Sequence, residues 1–262
     1  MVSRLETLEH GTTRIAYELT GNENGPRVVL LHGLFLNSDC WKYQIEALQQ
    51  DYRVLRFDLY GHGRSLIPHK RFTIRNYVTD MEILLKHIGW DSDLNLVGHS
   101  LGGMVALVYA LEHRSAVRRM VVASSYCFVS NEAMTDVLGR VKSNKLEKFA
   151  LGIGKRGLSP YDEEKARWLA EMVTRYMTQK DALYATAASA GFNICESLRD
   201  LDVPVLLIVG EKDITTPVWA SEMLHEWLPD SEIVIVKGAG HLVIVDHPDE
   251  FNQHMLAFLS GE

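Results

Sequence analysis

Six short apolar runs rich in Val, Ile and Leu recur along the chain, at 27–31, 53–57, 95–97, 120–123, 205–209 and 233–236. A continuous apolar run bounded by turn residues is what a strand buried on both faces requires. Amphipathic stretches of helical period lie between most of them, at 76–88, 101–112, 218–227 and 248–259. In 76–88 the apolar positions are Tyr77, Val78, Met81, Leu84, Leu85 and Ile88, one stripe of a helix. Strand and helix in alternation give an α/β fold: a mostly parallel central sheet with helices on both faces. An earlier segment, 12–20, reads as extended and ends at the turn-rich Gly21-Asn22-Glu23-Asn24-Gly25-Pro26.

The alternation breaks once. Between Ser124 and Val205 the sequence carries helical patterns at 131–142, 145–151, 160–177 and 181–192, and no strand. A helical insertion at one point of a parallel sheet sits over one sheet edge like a lid. The expected organisation is therefore a core in two parts, 1–125 and 201–262, interrupted by a helical cap at 126–200. No internal repeat or low-complexity tract is present.

Gly98-His99-Ser100-Leu101-Gly102 matches G-x-S-x-G. In that pattern a strand reverses sharply into a helix and leaves the serine hydroxyl exposed at the turn. The setting is right, with a strand pattern before it and the 101–112 helix after it. Ser100 is the candidate nucleophile. Two backbone N–H groups should hold the oxyanion, one from Leu101 and one from Leu34 in the loop His32-Gly33-Leu34-Phe35. An acid and a base must follow in chain order. Asp213 comes just past the 205–209 strand, and His241 just past the 233–236 strand. Strand carboxyl ends share one edge of a parallel sheet, so the three residues converge there. Asp213 would fix the tautomer of His241 while the other ring nitrogen takes the serine proton.

Rival residues are weaker. Asp202 precedes its strand and Glu211 follows it too tightly. His32 reads as a residue that pins its loop, and His99 as packing. His62, His87, His113, His225 and His254 read as surface or packing residues. No His, Cys and Asp spacing suggests a metal site. Gly152-Ile153-Gly154-Lys155-Arg156-Gly157 matches G-x-G-x-x-G but follows a charged helical segment rather than a strand, so a loop between cap helices is expected there.

The chain has 262 residues and a formal net charge of −7, which favours neither nucleic acid nor an anionic membrane surface. The basic cluster His69-Lys70-Arg71 reads as a solvated loop. No apolar run approaches the ~20 residues of a membrane span, and 1–24 lacks the apolar stretch of a signal peptide. Cys40, Cys127 and Cys195 are few, odd in number and far apart, which argues against a disulfide framework and for a reducing compartment. A cytoplasmic location is expected. Nothing in the sequence sets the oligomeric state.

These motifs together resemble the α/β-hydrolase superfamily, in its single-domain form with a small lid. The resemblance runs from Thr12 to Leu259 and rests on His32-Gly33, Trp41, Asp58-Leu59-Tyr60-Gly61-His62-Gly63-Arg64-Ser65, the serine turn, Gly210 with Asp213, and Gly240-His241. It implies the Ser100, Asp213, His241 triad, and a structural role for the 58–65 turn. That group includes carboxylesterases, enol-lactonases, cofactor-free haloperoxidase-like perhydrolases and C–C hydrolases. The expected function is cleavage of a small carboxylic ester or lactone through an acyl-enzyme, with no cofactor and no metal. C–C hydrolysis of a dicarbonyl compound, perhydrolysis, and a non-catalytic ligand receptor are the alternatives. Of Leu34, Phe35, Leu101 and Met104, with Tyr126, Phe128, Met134, Leu138 and Phe149 of the insertion, most should simply pack the insertion onto the core, and the remainder should line a closed, mostly apolar pocket with few polar anchors. Such a pocket suits acyl chains of about two to eight carbons.

Overall fold

Each of the six apolar runs becomes a strand of one sheet. The computed structural model describes residues 5–11, 13–65 and 71–261. Thr12, His69 and Lys70 lie outside the described residues. The strands are β1 Glu6–His10, β2 Thr13–Gly21, β3 Arg27–Leu31, β4 Arg53–Phe57, β5 Leu94–His99, β6 Val117–Ala123, β7 Val205–Gly210 and β8 Ser231–Val236. Their spatial order is β1-β2-β4-β3-β5-β6-β7-β8. β1 and β2 are antiparallel to their neighbours, and β4 through β8 run parallel.

The helices, in chain order, are α1 Lys42–Leu48, α2 Ile74–His87, α3 Leu101–Glu112, α4 Asn131–Ser143, α5 Leu146–Gly157, α6 Glu163–Tyr176, α7 Gln179–Ala187, α8 Val218–Trp227, α9 Val243–Asp246 and α10 Pro248–Ser260. They divide the core in two because strand side chains alternate. Val29 and Leu31 of β3 face one apolar cluster with residues of α2, α3 and α8. Val28 and Leu30 face the other, with Leu48 of α1 and Phe251, Met255 and Leu259 of α10. Burying each such side chain stabilises the fold by about 1.5–3 kcal/mol, so both sheet faces must be covered. Among the described residues, no helix is long and apolar enough to cross a membrane.

The chain between β6 and β7 holds α4 to α7. Its apolar cluster gathers Val141, Phe149, Val173 and Met177 around Phe35, which comes from the loop after β3. Phe35 meets Phe149 edge-on, with ring centroids 5.0 Å apart. Leu169 and Met172 of α6 join the core cluster that contains Trp41. Of these helices α6 reaches that core cluster, while α4, α5 and α7 pack on one another and on the loop after β3.

The inserted segment departs from the sequence expectation at two places. Cys127 and Cys195 form a disulfide across a sequence separation of 68, leaving Cys40 as the free, buried cysteine. The bond closes the neck of the inserted segment, where the outgoing chain pairs with the returning one. There Phe128 bridges to Asn193 and the Ile194 N–H donates to the Cys127 carbonyl at 2.9 Å. Sequence distance between cysteines says nothing about the width of such a neck. The cysteine count therefore no longer supports a cytoplasmic location, since disulfides persist in oxidising surroundings.

Gly152 to Gly157, expected as a loop between helices, are helical and form the second half of α5. A Cβ on Gly154 would lie 2.6 Å from Ala166, so this glycine serves the close approach of α5 to α6. The 58–65 turn is held by buried Asp58, which accepts from the N–H of Ser38 at 2.8 Å and of Arg64 at 2.7 Å.

Candidate active site

β5 ends at His99 and α3 begins at Leu101, so one residue makes the reversal between them. Ser100 does so with φ 53° and ψ −116°, a conformation that strains any residue carrying a Cβ. The strand and helix approach so closely here that side chains are excluded. A Cβ on Gly98 would lie 2.5 Å from the Gly102 carbonyl, and one on Gly102 2.0 Å from the Leu31 carbonyl.

Two strands further along the sheet, the loops after β7 and β8 meet. His241 Nδ1 lies 2.9 Å from Asp213 Oδ2. Asp213 also accepts from the N–H groups of Thr215 and Thr216, both at 2.8 Å, and from the Thr216 hydroxyl at 2.7 Å. Burial alone would raise its carboxyl. The His241 charge and hydrogen bond, with those from Thr216, outweigh burial and hold Asp213 well below the usual carboxylate range. An ionised Asp213 accepts at Nδ1–H, which leaves the Nε2 lone pair of His241 free to take a proton. Of the three carboxylates weighed from sequence, Asp213 is the one that reaches His241. Glu211 instead accepts from the Gly238 N–H at 3.1 Å.

The loop after β3 carries the remaining donors. His32 is fully buried, and its Nδ1 lies 2.8 Å from the Gly33 carbonyl. Its Nε2 accepts from the Leu59 N–H at 2.9 Å. That pair of contacts fixes a neutral ring, and burial lowers its pKa to about 4. His32 thereby ties this loop to the chain after β4. Phe35, with φ 69°, turns the loop back. Among the described residues, the N–H groups of Leu34 and Leu101 donate to no protein acceptor.

Three residues that support the site escape a sequence reading. The Thr216 hydroxyl lies 3.1 Å from His241 Nδ1 as well as bonding Asp213. The signal for it was the Asp-x-Thr-Thr turn, whose aspartate accepts from the backbone two and three residues on. His99 is more than packing, since its Nε2–H donates to the His241 carbonyl at 2.9 Å. Burial, and then the neighbouring His241, lowers the His99 pKa to about 3. Asp246 accepts from the N–H of Gly240 and of Ser159, each at 2.9 Å, and so joins the His241 loop to the chain leaving α5. Nothing local in sequence marks that contact.

Leu34, Ser100, Leu101 and His241 all line one cavity of about 770 Å³ beneath α4 and α5, with Asp213 behind His241. Its inner wall is apolar, from Leu34, Phe35, Met104, Phe149 and Leu242. The expectation of few polar anchors does not hold, because α4 and α5 add Asp136, Arg140, Lys148, Lys155 and Arg156. Phe128, Ile214 and Trp219 also line it and remain exposed. Away from the cavity, Glu82, Glu112 and His113 set one ligand atom each within 4.8 Å of one another. Arg75 already pairs with both of those carboxylates.

Residues 28–254 match the model of the alpha/beta hydrolase family. This chain belongs to that family. A curated relative, the pimeloyl-acyl-carrier-protein methyl ester esterase of Nitrosomonas europaea, is 30% identical over 90% of this chain and 96% of its own length. Among solved structures, a thermophilic esterase from Thermogutta terrifontis superposes with a TM-score of 0.88 at 25% identity, over 98% of each chain. The enol-lactonase from Burkholderia xenovorans LB400 does so with a TM-score of 0.89 at 22% identity, over 97% of this chain and 100% of the other. The second of these likenesses is one of fold. As an alpha/beta hydrolase, the chain carries its candidate residues at the carboxyl edge of the parallel strands, where the loops after β3, β5, β7 and β8 converge.

Proposed function

We propose that the protein hydrolyses a small carboxylic ester or lactone with Ser100 as nucleophile, His241 as base, Asp213 as the orienting acid, and the Leu34 and Leu101 N–H groups as the oxyanion hole. The protein is a hydrolase acting on ester bonds. The observation that carries the residue assignment is the strained turn at Ser100, which opens into the same cavity as His241 while Asp213 holds the far side of the imidazole. Strain of this kind persists where the surrounding structure enforces it, and it is characteristic of reacting positions. The segment 126–200 acts in this reading as a cap that encloses the substrate.

The reaction follows from the protons. Ser100 Oγ attacks the ester carbonyl as its proton passes to His241 Nε2. The oxyanion that forms accepts from the two free N–H groups, each worth about 3 kcal/mol in the transition state. Collapse expels the alcohol, which takes the proton from Nε2, and leaves an acyl group on Ser100. His241, neutral again, draws a proton from water, whose oxygen attacks the acyl carbon; the bond to Ser100 Oγ then breaks, Oγ takes the proton from Nε2, and the acid is released. Asp213 remains ionised throughout and stabilises the imidazolium.

The support for an ester rather than another bond is the ester-acting relative, together with a cavity whose inner wall is apolar. Turnover of 4-nitrophenyl butyrate tests the reading and separates it from a ligand receptor of the same fold. Hydrolysis by the wild type, lost in Ser100→Ala, is expected; equal hydrolysis by the variant would contradict it.

A further inference from the structure

The cavity wall supplied by α4 and α5 holds four cations, Arg140, Lys148, Lys155 and Arg156, and one carboxylate, Asp136. Composition does not produce such a wall, since the chain has 34 acidic and 27 basic residues. Asp136 is taken by Arg140, 3.1 Å away and one turn along α4. Among the described residues, no ion pair engages Lys148, Lys155 or Arg156.

Lys155 and Arg156 stand in the last turn of α5, where the helix dipole favours a cation. Lys148 stands in the first turn, where the dipole disfavours one. Lys148, Gly152 and Lys155 are spaced by four and three residues, so they share one face of α5, and that face lines the cavity. From Lys148 to Arg156 the wall runs about 12 Å at the rise of an α-helix. Its far end is fastened beside the proposed base, because the Leu242 N–H donates to the Gly157 carbonyl at 2.9 Å. Like charges set along a partly enclosed wall repel, and an anion between them relieves the repulsion.

We propose that the substrates are esters bearing a second, anionic group, a carboxylate or phosphate, which Lys148, Lys155 and Arg156 hold while the ester carbonyl lies over Ser100. This rests on the ester-hydrolase reading above. The anion can sit on the acyl or the alcohol part, and two substrate pairs separate them. Methyl hydrogen adipate against methyl hexanoate exchanges a carboxylate for a methyl at the acyl end. 4-(Hexanoyloxy)butanoate against butyl hexanoate does the same at the alcohol end.

In at least one pair the wild type should favour the anionic ester by about tenfold or more in kcat/KM, mostly through KM, and the ratio should shrink as salt rises. The triple substitution Lys148→Gln, Lys155→Gln, Arg156→Gln should bring the ratio close to one, whereas Lys148→Arg with Lys155→Arg should keep it. Each ratio is internal to one preparation, so a loss of folded enzyme cancels. Ratios at or below one in the wild type, or a preference that survives the triple substitution, would overturn the proposal. Calorimetric titration with adipate reads the same wall without turnover. Failure to hydrolyse any of the four esters tells against the ester reading, while adipate bound equally by wild type and triple variant tells against the anion wall.

Discussion

The sheet edge and the proposed cap, whose helices α4 and α5 line the same cavity, differ in how their side chains are fixed. On the sheet edge, Ser100, Asp213 and His241 follow strand ends, and each is over-determined: Ser100 by its backbone turn, Asp213 by four hydrogen bonds, and His241 by bonds on its ring and on its carbonyl. On the cap, Lys148, Lys155 and Arg156 are exposed side chains on a helix face, with no ion pair among the described residues. A rigid constellation suits chemistry that tolerates little displacement. Long side chains without partners suit recognition that adapts to the ligand. Changes on the edge should therefore slow every ester alike, and changes on the cap should alter the ratio between esters.

The largest effect expected is from Ser100→Ala, which should lower kcat/KM by about 10⁴-fold or more on every ester while leaving the melting temperature unchanged or raised. A variant that lost only one ester would break the comparison. Asp213→Asn should cost about 10³–10⁴-fold, again on all esters, because an amide favours the wrong tautomer of His241. Glu211→Gln should change kcat by less than about twofold, since its carboxylate bonds Gly238 at the surface. Thr216→Val removes one of the bonds that hold Asp213 and should lower kcat by roughly tenfold, with KM little changed.

His32, His62 and His99 all lie beneath the sheet edge, and burial lowers their pKa values to about 4, 3 and 3. The unfolded chain binds a proton at each below about pH 6.5, where the folded chain does not. Asp80, raised by burial to about 7, works in the opposite sense, because only the folded chain holds its proton between about pH 4 and 7. Net proton uptake on unfolding is about two near pH 5, so stability should fall on acidification there, by roughly 3 kcal/mol per pH unit. Asp213, held low, contributes its full stabilisation above about pH 4 and plays no part in that window. Denaturant unfolding from pH 7 to 4.5 checks this; a flat profile would contradict it. Replacing Cys127 and Cys195 by Ala opens a loop of 68-residue separation and should cost up to about 4 kcal/mol, with little change in kcat on a small neutral ester.

The sheet edge was also the more legible half in sequence. β3 and β4 coincide with their apolar runs, and α3 and α8 with their periodic stretches, because burial on a sheet forces those patterns. β1 gave no signal, since Glu6–His10 is exposed on nearly every residue and is held by pairing with β2. α1 was likewise unmarked. In the cap, the helical period told where a polar face lies but not that the polar face of α5 borders a cavity. Gly154 looked like a loop residue because its neighbour Ala166 is visible only once α5 and α6 are packed. The disulfide and the Asp246 contacts join residues far apart in the chain, and no local pattern encodes such pairs.

Covalent trapping shows whether the Ser100 hydroxyl is the attacking group. A fluorophosphonate ester incubated with the wild type, followed by intact-mass and peptide mass spectrometry, should show one adduct per chain, on the peptide containing Ser100. Ester hydrolysis should be lost in step with labelling, and Ser100→Ala should take up no label. Labelling at another residue, or full hydrolysis by a chain whose Ser100 is quantitatively modified, would contradict the account.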